Sequence, residues 1–307
     1  MPDKLLKFLF HQAPVRGEVV RLRHSWRQMT ALHRYPEPVL RLLGEMTAAA
    51  ALLASTIKFA GSLILQIHGD GPVKLLVVEC QPDLALRATA KLAPGARIDV
   101  DAGWRALVNA HGRGRCAITL DPQQRLPGQQ PYQGIVPLEG DSVAQALEAY
   151  MRQSEQLDSR LWLAADDSAA AGVLLQRLPQ TRRAGVPIEA VDEDAWPRTT
   201  ALAETLSAAE LLATAPEVLT RRLFWQERLE QYVPLTPRFT CRCSRERIGR
   251  MLLSLGRPEV DSIVAELGSV SVTCDFCNAT QAFDAVDVSH LFATGSTREA
   301  DADGLRH

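Results

Sequence analysis

The sequence predicts an α+β protein: an N-terminal antiparallel sheet with packed helices, a helical linker, and a small C-terminal α+β domain organised around clustered cysteines. Three observations predict it. At 307 residues the chain exceeds one ordinary core, so two domains, or one plus a smaller module, are expected. Its first half alternates strand-like runs around glycine-rich turns. Its last part carries two cysteine pairs, FTCRCS (239–244) and TCDFC (273–277), on either side of two short amphipathic segments.

The elements can be justified in order. Pro38 to Phe59 reads as a long, Ala-rich helix; its apolar run from Met46 stops at Lys58, too short to span a bilayer and suited to burial. SLILQIHGDGPVKLLVVE (62–79) reads as strand, turn, strand, because Gly69 and Gly71 permit the positive φ of a tight hairpin. Leu84 to Leu92 alternates as a strand, and Cys116 to Leu120 enters another after a Gly-rich turn. Asp141 to Leu157 reads as a helix capped by Asp141 or Ser142, with Val143, Ala146, Leu147 and Tyr150 on one face. Residues 1–178 form this α+β domain.

Residues 179–232 read as the linker. Its first part, 179–200, has three prolines, an acidic run and little periodicity, which predicts a loop. Helices are expected over Thr205–Leu212 and from Pro216, allowed in a first turn, to about Glu230. Leu219, Leu223, Phe224 and Trp225 are expected to pack on the first domain. In the last module, 233–292, Ser244 can cap a helix carrying Ile248, Met251, Leu252 and Leu255, and Gly256 stops it. Pro258 opens a second, with Val260, Ile263, Val264 and Leu267, stopped by Gly268. Ser269–Thr273 and Thr280–Phe283 read as strands around CDFC. The polar tail, 293–307, reads as disordered.

Composition excludes several classes. The net charge of −2 gives no global attraction to nucleic acid or an anionic membrane. The N-terminus lacks the apolar core and cleavage site of a signal peptide, so a cytoplasmic location is expected, where structural disulfides are rare. Cys80 and Cys116 lie apart in apolar surroundings and read as buried small hydrophobes.

The other four cysteines are Cys241, Cys243, Cys274 and Cys277. Four thiolates arranged tetrahedrally suit Zn(II), at about 2.3 Å each. A two-residue spacer lets Cys274 and Cys277 face one metal across a turn, and a one-residue spacer puts Cys241 and Cys243 on one side of an extended segment. The Gly256-Arg257-Pro258 break folds the intervening helices back so that the clips meet. One Zn(II) per chain is the expected cofactor. A module of this size buries little apolar surface, so the metal would supply most of its folding free energy, and oxidation of the thiols would remove it.

The string FTCRCSRERIGRMLLSLGRPEVDSIVAELGSVSVTCDFCNATQAFDAVDV resembles the zinc domain of the redox-regulated 33 kDa heat-shock chaperones, in C-x-C, C-S-R-E-R, E-V-D-S-I and C-D-F-C. VRGEVVRL (15–22), GDGPVKLLVVE (69–79), the segment 132–164 and LLATAPEVLTRRLFWQE (211–227) extend the resemblance over nearly the whole chain. It implies an ATP-independent holdase, not an enzyme. It implies that zinc on the reduced cysteines keeps the protein inactive, and that oxidation pairs Cys241 with Cys243 and Cys274 with Cys277. Zinc release would then destabilise the linker and expose a surface that binds unfolding client proteins, with a homodimer as the activated form.

Two rivals come from other classes. A zinc-ribbon nucleic-acid binder would use Arg242, Arg245, Arg247 and Arg250, but Cys241 to Phe292 holds five Arg, no Lys and seven Asp plus Glu, a net acidic module. A thiol oxidoreductase would place C-x-x-C at a helix N-terminus in a βαβ setting, whereas CDFC follows a strand and has a second clip. The histidines are scattered without metal spacing, and no phosphate-binding G-x-x-x-x-G-K-[ST] loop is present.

Overall fold

The structure is a computed structural model that describes residues 2–124, 130–179, 192 and 194–303, with the backbone alone for 295–303. The chain divides into two compact units, Met1–Thr240 and Cys241–His307. Most of the predicted 179–200 loop, residues 125–129 and the last four residues lie outside the described residues.

The first unit contains two sheets. One has the order β10 (Leu229–Gln231), β1 (Lys4–Phe10), β2 (Val15–Leu22), β9 (Ala170–Arg177), β8 (Ser159–Ala165), antiparallel throughout. The other runs β11 (Arg238–Phe239), β5 (Ala85–Leu92), β4 (Val73–Cys80), β3 (Gly61–His68), β6 (Arg115–Pro122), β7 (Tyr132–Pro137), antiparallel except for the parallel pair β11 and β5. The α+β class and the 63–78 hairpin match the sequence reading, but neither Gly69 nor Gly71 takes the expected positive φ. The turn needs them for close approach, since a Cβ would lie 2.1 Å from the Val73 carbonyl oxygen at Gly69 and 2.5 Å from the Leu107 carbonyl oxygen at Gly71. The division into two sheets is new, because period-2 alternation tells which side chains face a core but not which strand pairs with which.

The helix α2 (Glu37–Thr56) packs on both sheets. It is apolar nearly all round, and Met46 to Leu53 is buried without a break, the pattern of a helix surrounded by protein. By length and composition it could cross a bilayer, yet 67% of that window is buried inside the first unit. Its Ala run lets the strands approach closely, and at Gly44 even a methyl would strike Ala165 and Trp26. The helix ends three residues before the predicted Phe59, where Ile57 turns extended. Shorter helices, α1 (His24–Thr30), α3 (Trp104–Val108) and α4 (Val143–Ser154), complete this layer. Of the two candidate caps for α4, Ser142 takes the role, accepting from the Gln145 amide.

The opposite face of the five-stranded sheet is covered by α5 (Ala195–Glu204), α6 (Ala208–Ala213) and α7 (Pro216–Leu223). Two readings are corrected here. A helix begins at Ala195, inside the predicted loop, and α7 stops at Leu223 instead of about Glu230. Phe224 leaves helical geometry to enter a cluster with Phe8 and Phe10, at centroid distances of 5.7 and 5.0 Å, and Leu229–Gln231 then pairs with β1 as a strand. Tertiary burial of one aromatic outweighs local helix propensity. Gly17 makes room for this cluster: a Cβ there would lie 2.2 Å from the Phe8 ring. Leu219, Leu223 and Phe224 are buried as expected, but Trp225 is 73% exposed.

The second unit contains α8 (Arg245–Leu255), α9 (Arg257–Leu267), the hairpin of β12 (Ser269–Thr273) and β13 (Thr280–Asp284), and α10 (Ala285–Asp303). Ser244 caps α8 by accepting from the Arg247 amide, and Gly268 closes α9 in the left-handed region, φ 79°. Ile248, Leu252, Val260, Val270, Phe283 and Val288 form the core. Met251, Leu255 and Leu267, predicted to share the apolar faces of the two helices, are exposed. The backbone of α10 is helical to Asp303, where the sequence reads as a disordered tail; Asp284 accepts from the Val286 and Asp287 amides and starts that helix.

Candidate metal centre

Each clip is set by its own local backbone. Cys241 and Cys243 lie in a segment without regular structure, just before the Ser244 cap. Cys274 and Cys277 occupy the turn of the β12–β13 hairpin. That turn is closed by the Asn278 amide donating to the Cys274 carbonyl at 2.8 Å and the Cys274 amide donating to the Ala279 carbonyl at 3.0 Å. Asn278 takes φ 55°, a conformation that Asn tolerates better than most residues. C-x-x-C therefore sits in a hairpin, not at a helix N-terminus.

Folding back through α8 and α9 brings the two clips together. The four Sγ atoms all lie within 4.8 Å of one another, and no other metal-sized group of His, Cys, Asp or Glu occurs among the described residues. The short approaches run between clips: Cys241 Sγ to Cys274 Sγ is 3.7 Å, and Cys243 Sγ to Cys277 Sγ is 3.2 Å. A tetrahedral ion with four legs of about 2.3 Å would space its sulfurs by about 3.8 Å. The donor set fits a thiophilic metal ion and is compatible with zinc.

The electrostatics favour the same conclusion. Burial pushes the Cys241 thiol up, but the Cys243 amide and the neighbouring thiols, by hydrogen bonding, hold it below its ordinary value. Hydrogen bonding to Cys277, together with burial, pushes Cys243 far above the thiol range. Burial also raises Cys277. Four sulfurs this close cannot all carry negative charge without a cation among them. By contrast, burial alone pushes Cys116 up to about 12, and burial with Asp83 and Glu79 raises Cys80 further, so both stay protonated and inert inside the first unit.

Sequence reasoning missed the clamp that joins the clips. The Arg245 guanidinium lies 4.2 Å from the Phe283 ring centroid, donates from Nη1 to the Ala282 carbonyl at 2.7 Å, and pairs through Nη2 with Asp287 at 2.7 Å. It ties the residue that opens α8 to the strand following the second clip. The signal was available: an arginine in a first helical turn opposes the helix dipole and calls for a compensating contact. These internal contacts also commit a side chain that a nucleic-acid binder would turn towards phosphate.

The family model described as Hsp33 protein matches residues 3–284. The chain belongs to the Hsp33 family. It is 46% identical over 302 residues to the 33 kDa chaperonin of Chromobacterium violaceum, covering 97% of each chain, and 45% identical over 293 residues to that of Methylobacillus flagellatus, covering 95% of each. The fold matches the crystal structure of the 33 kDa chaperonin (heat shock protein 33 homolog) from Thermotoga maritima, with a TM-score of 0.76, 20% identity, and 96% and 99% of the two chains covered. Membership places the chain among heat-shock chaperones, and its four-cysteine cluster is compatible with redox chemistry as well as with zinc.

Proposed function

We propose that the chain is a cytoplasmic, redox-regulated holdase that uses no ATP. In the reduced state Cys241, Cys243, Cys274 and Cys277 hold one Zn(II), and the protein is inactive. When bound, the ion supplies the charge that lets four thiolates share one site. The observation that carries the reading is the convergence of those four sulfurs within 4.8 Å in a unit with so small a core. Zinc binding contributes on the order of 10–16 kcal/mol in small zinc peptides, which is most of what such a unit needs to fold.

Oxidation would pair Cys241 with Cys243 and Cys274 with Cys277. Each bridge forms as two thiols lose two protons and two electrons, and one peroxide takes them up to give two waters. Bridges within each clip leave no thiolate for the metal, and they give no covalent link between the clips, so the second unit loses its order. Thr240, whose amide donates to the Leu86 carbonyl, directly precedes Cys241, so disorder beyond Cys241 would reach the last residues of the first unit, and through β11 and β10 the linker helices, along the chain. The linker helices would then leave the apolar face they cover, and unfolding clients would bind there; dimerisation is expected of the active form.

The test follows zinc release and suppression of client aggregation together during peroxide treatment. Both are expected to rise with the same time course and to reverse on adding reductant and zinc. Full protection by the reduced, zinc-loaded protein overturns the reading.

A further inference from the structure

Lys4 and Arg21 stand directly opposite each other on β1 and β2. Strand alternation puts them on the same face as Phe8, Phe10, Val15 and Val19, the face that α5–α7 cover. Like charges directly opposite destabilise an antiparallel pair. Arg21 is also only 4% exposed, where an uncompensated charge is costly. The linker helices supply compensation. Arg21 Nη1 donates to the Ala213 carbonyl at 2.8 Å, at the end of α6. Lys4 Nζ donates to Glu217 Oε1 at 2.5 Å, in the first turn of α7. Burial would raise the Glu217 carboxyl, but the Lys4 hydrogen bond and the attraction of Lys4 and Arg21 hold it below its ordinary value. Asp3, which accepts from the amides of Arg23, His24 and Ser25 at 2.6–2.8 Å, also attracts Arg21, while Arg23 repels it, so the carboxylate of Asp3 stays beside the cations when the helices leave.

The linker thus presents a composite surface to the sheet: Leu211, Leu219, Leu223 and Phe224, flanked by a carbonyl and a carboxylate. We propose that this face, once α5–α7 have left it, prefers client segments of the same chemistry, apolar stretches flanked by Asp or Glu, and that Lys4 and Arg21 set the preference. The inference rests on the holdase reading. Departure of the helices removes Glu217 and the Ala213 carbonyl from the cation pair. A segment that brings a carboxylate restores what was lost. A segment that brings Lys or Arg adds another positive charge to Lys4, Arg21 and Arg23, which Asp3 only partly offsets.

The experiment uses the full chain, oxidised and zinc-free, and three fluorescent peptides with one apolar core flanked by two Glu, two Gln or two Lys. The Glu peptide is expected to bind on the order of five-fold tighter than the Lys peptide, the scale of two partly exposed ion pairs, with the gap narrowing at high salt. In Lys4→Gln/Arg21→Gln the gap closes, while Arg105→Gln, an exposed charge elsewhere, keeps it. Lys4→Gln alone, at a half-exposed position, is expected to lose about half the preference and serves if the double variant does not fold. Equal binding of the three peptides, or a gap that survives in the variants, overturns the preference alone. Binding of none of them overturns the holdase reading, and this inference with it.

Discussion

The two units solve the same folding problem by different physics. In the first, a long helix is enclosed by two sheets, and the core runs continuously from Leu5 through Leu52 to Leu174. In the second, six apolar side chains among the described residues are buried, on one hairpin and three helices, while Met251, Leu255 and Leu267 face solvent. Apolar burial at roughly 25 cal/mol per Å² can hold the first together. The second has too little of it, and its four sulfurs converge where a metal ion would make up the difference. A fold whose stability resides in burial is indifferent to oxidant; one whose stability resides in thiolates is not.

That contrast breaks most sharply at the sulfurs. Cys274→Ser removes one ligand, and the variant is expected to lose bound zinc and the chemical-shift dispersion of residues beyond Cys241, with the first unit's spectrum unchanged. The loss is on the order of the metal's folding contribution, about 10 kcal/mol. A second unit that stays ordered without the ion would erase the distinction between the two.

A smaller effect should sharpen the contrast from within the first unit. Phe224→Ala empties the cluster with Phe8 and Phe10, a loss of about 3–5 kcal/mol. Hydrogen exchange should rise over α5–α7 while α2 and the six-stranded sheet remain protected, and aggregation of a test client should be partly suppressed without oxidant. Uniform exchange across the first unit would mean that the linker helices are inseparable from its core.

The smallest expected effect concerns pH, where the units should respond in opposite directions. Burial pushes the Glu45 carboxyl up to about 7, against a smaller opposing pull from Arg41. A carboxyl raised in the folded state favours folding fully below its unfolded value near 4.5, and that contribution is lost as pH rises to about 7. Glu45→Gln should therefore stabilise the first unit by about 1–2 kcal/mol at pH 8 and by little at pH 4, the figure allowing for partial solvent screening. The second unit should instead weaken as pH falls, because its thiolates take up protons and release the metal. Denaturant melts at the two pH values, with zinc release followed alongside, check both signs.

Much of the site was legible in the residues. C-x-C and C-x-x-C named the four sulfurs, Ser244 and Gly268 marked helix ends, and the Gly256-Arg257-Pro258 break marked the reversal between helices. These are local features, each set by a few neighbouring residues. The Arg245 clamp was not legible in the same way, because its partners lie 37 to 42 residues further along the chain. Nor was the end of α7, since Phe224 leaves the helix for a site built by β1.

By itself the sequence determined the two cysteine clips, the caps, the hairpin over residues 63–78 and the periodicity of the main helices, because each depends on local residue preference or on spacing along the chain. Only the tertiary structure decided that the strands divide into two sheets around α2, that Lys4 lies opposite Arg21 under the linker, and that half of an apolar helical stripe stays in water. Those outcomes follow from which distant surfaces bury one another, and burial energy carries no record of sequence distance.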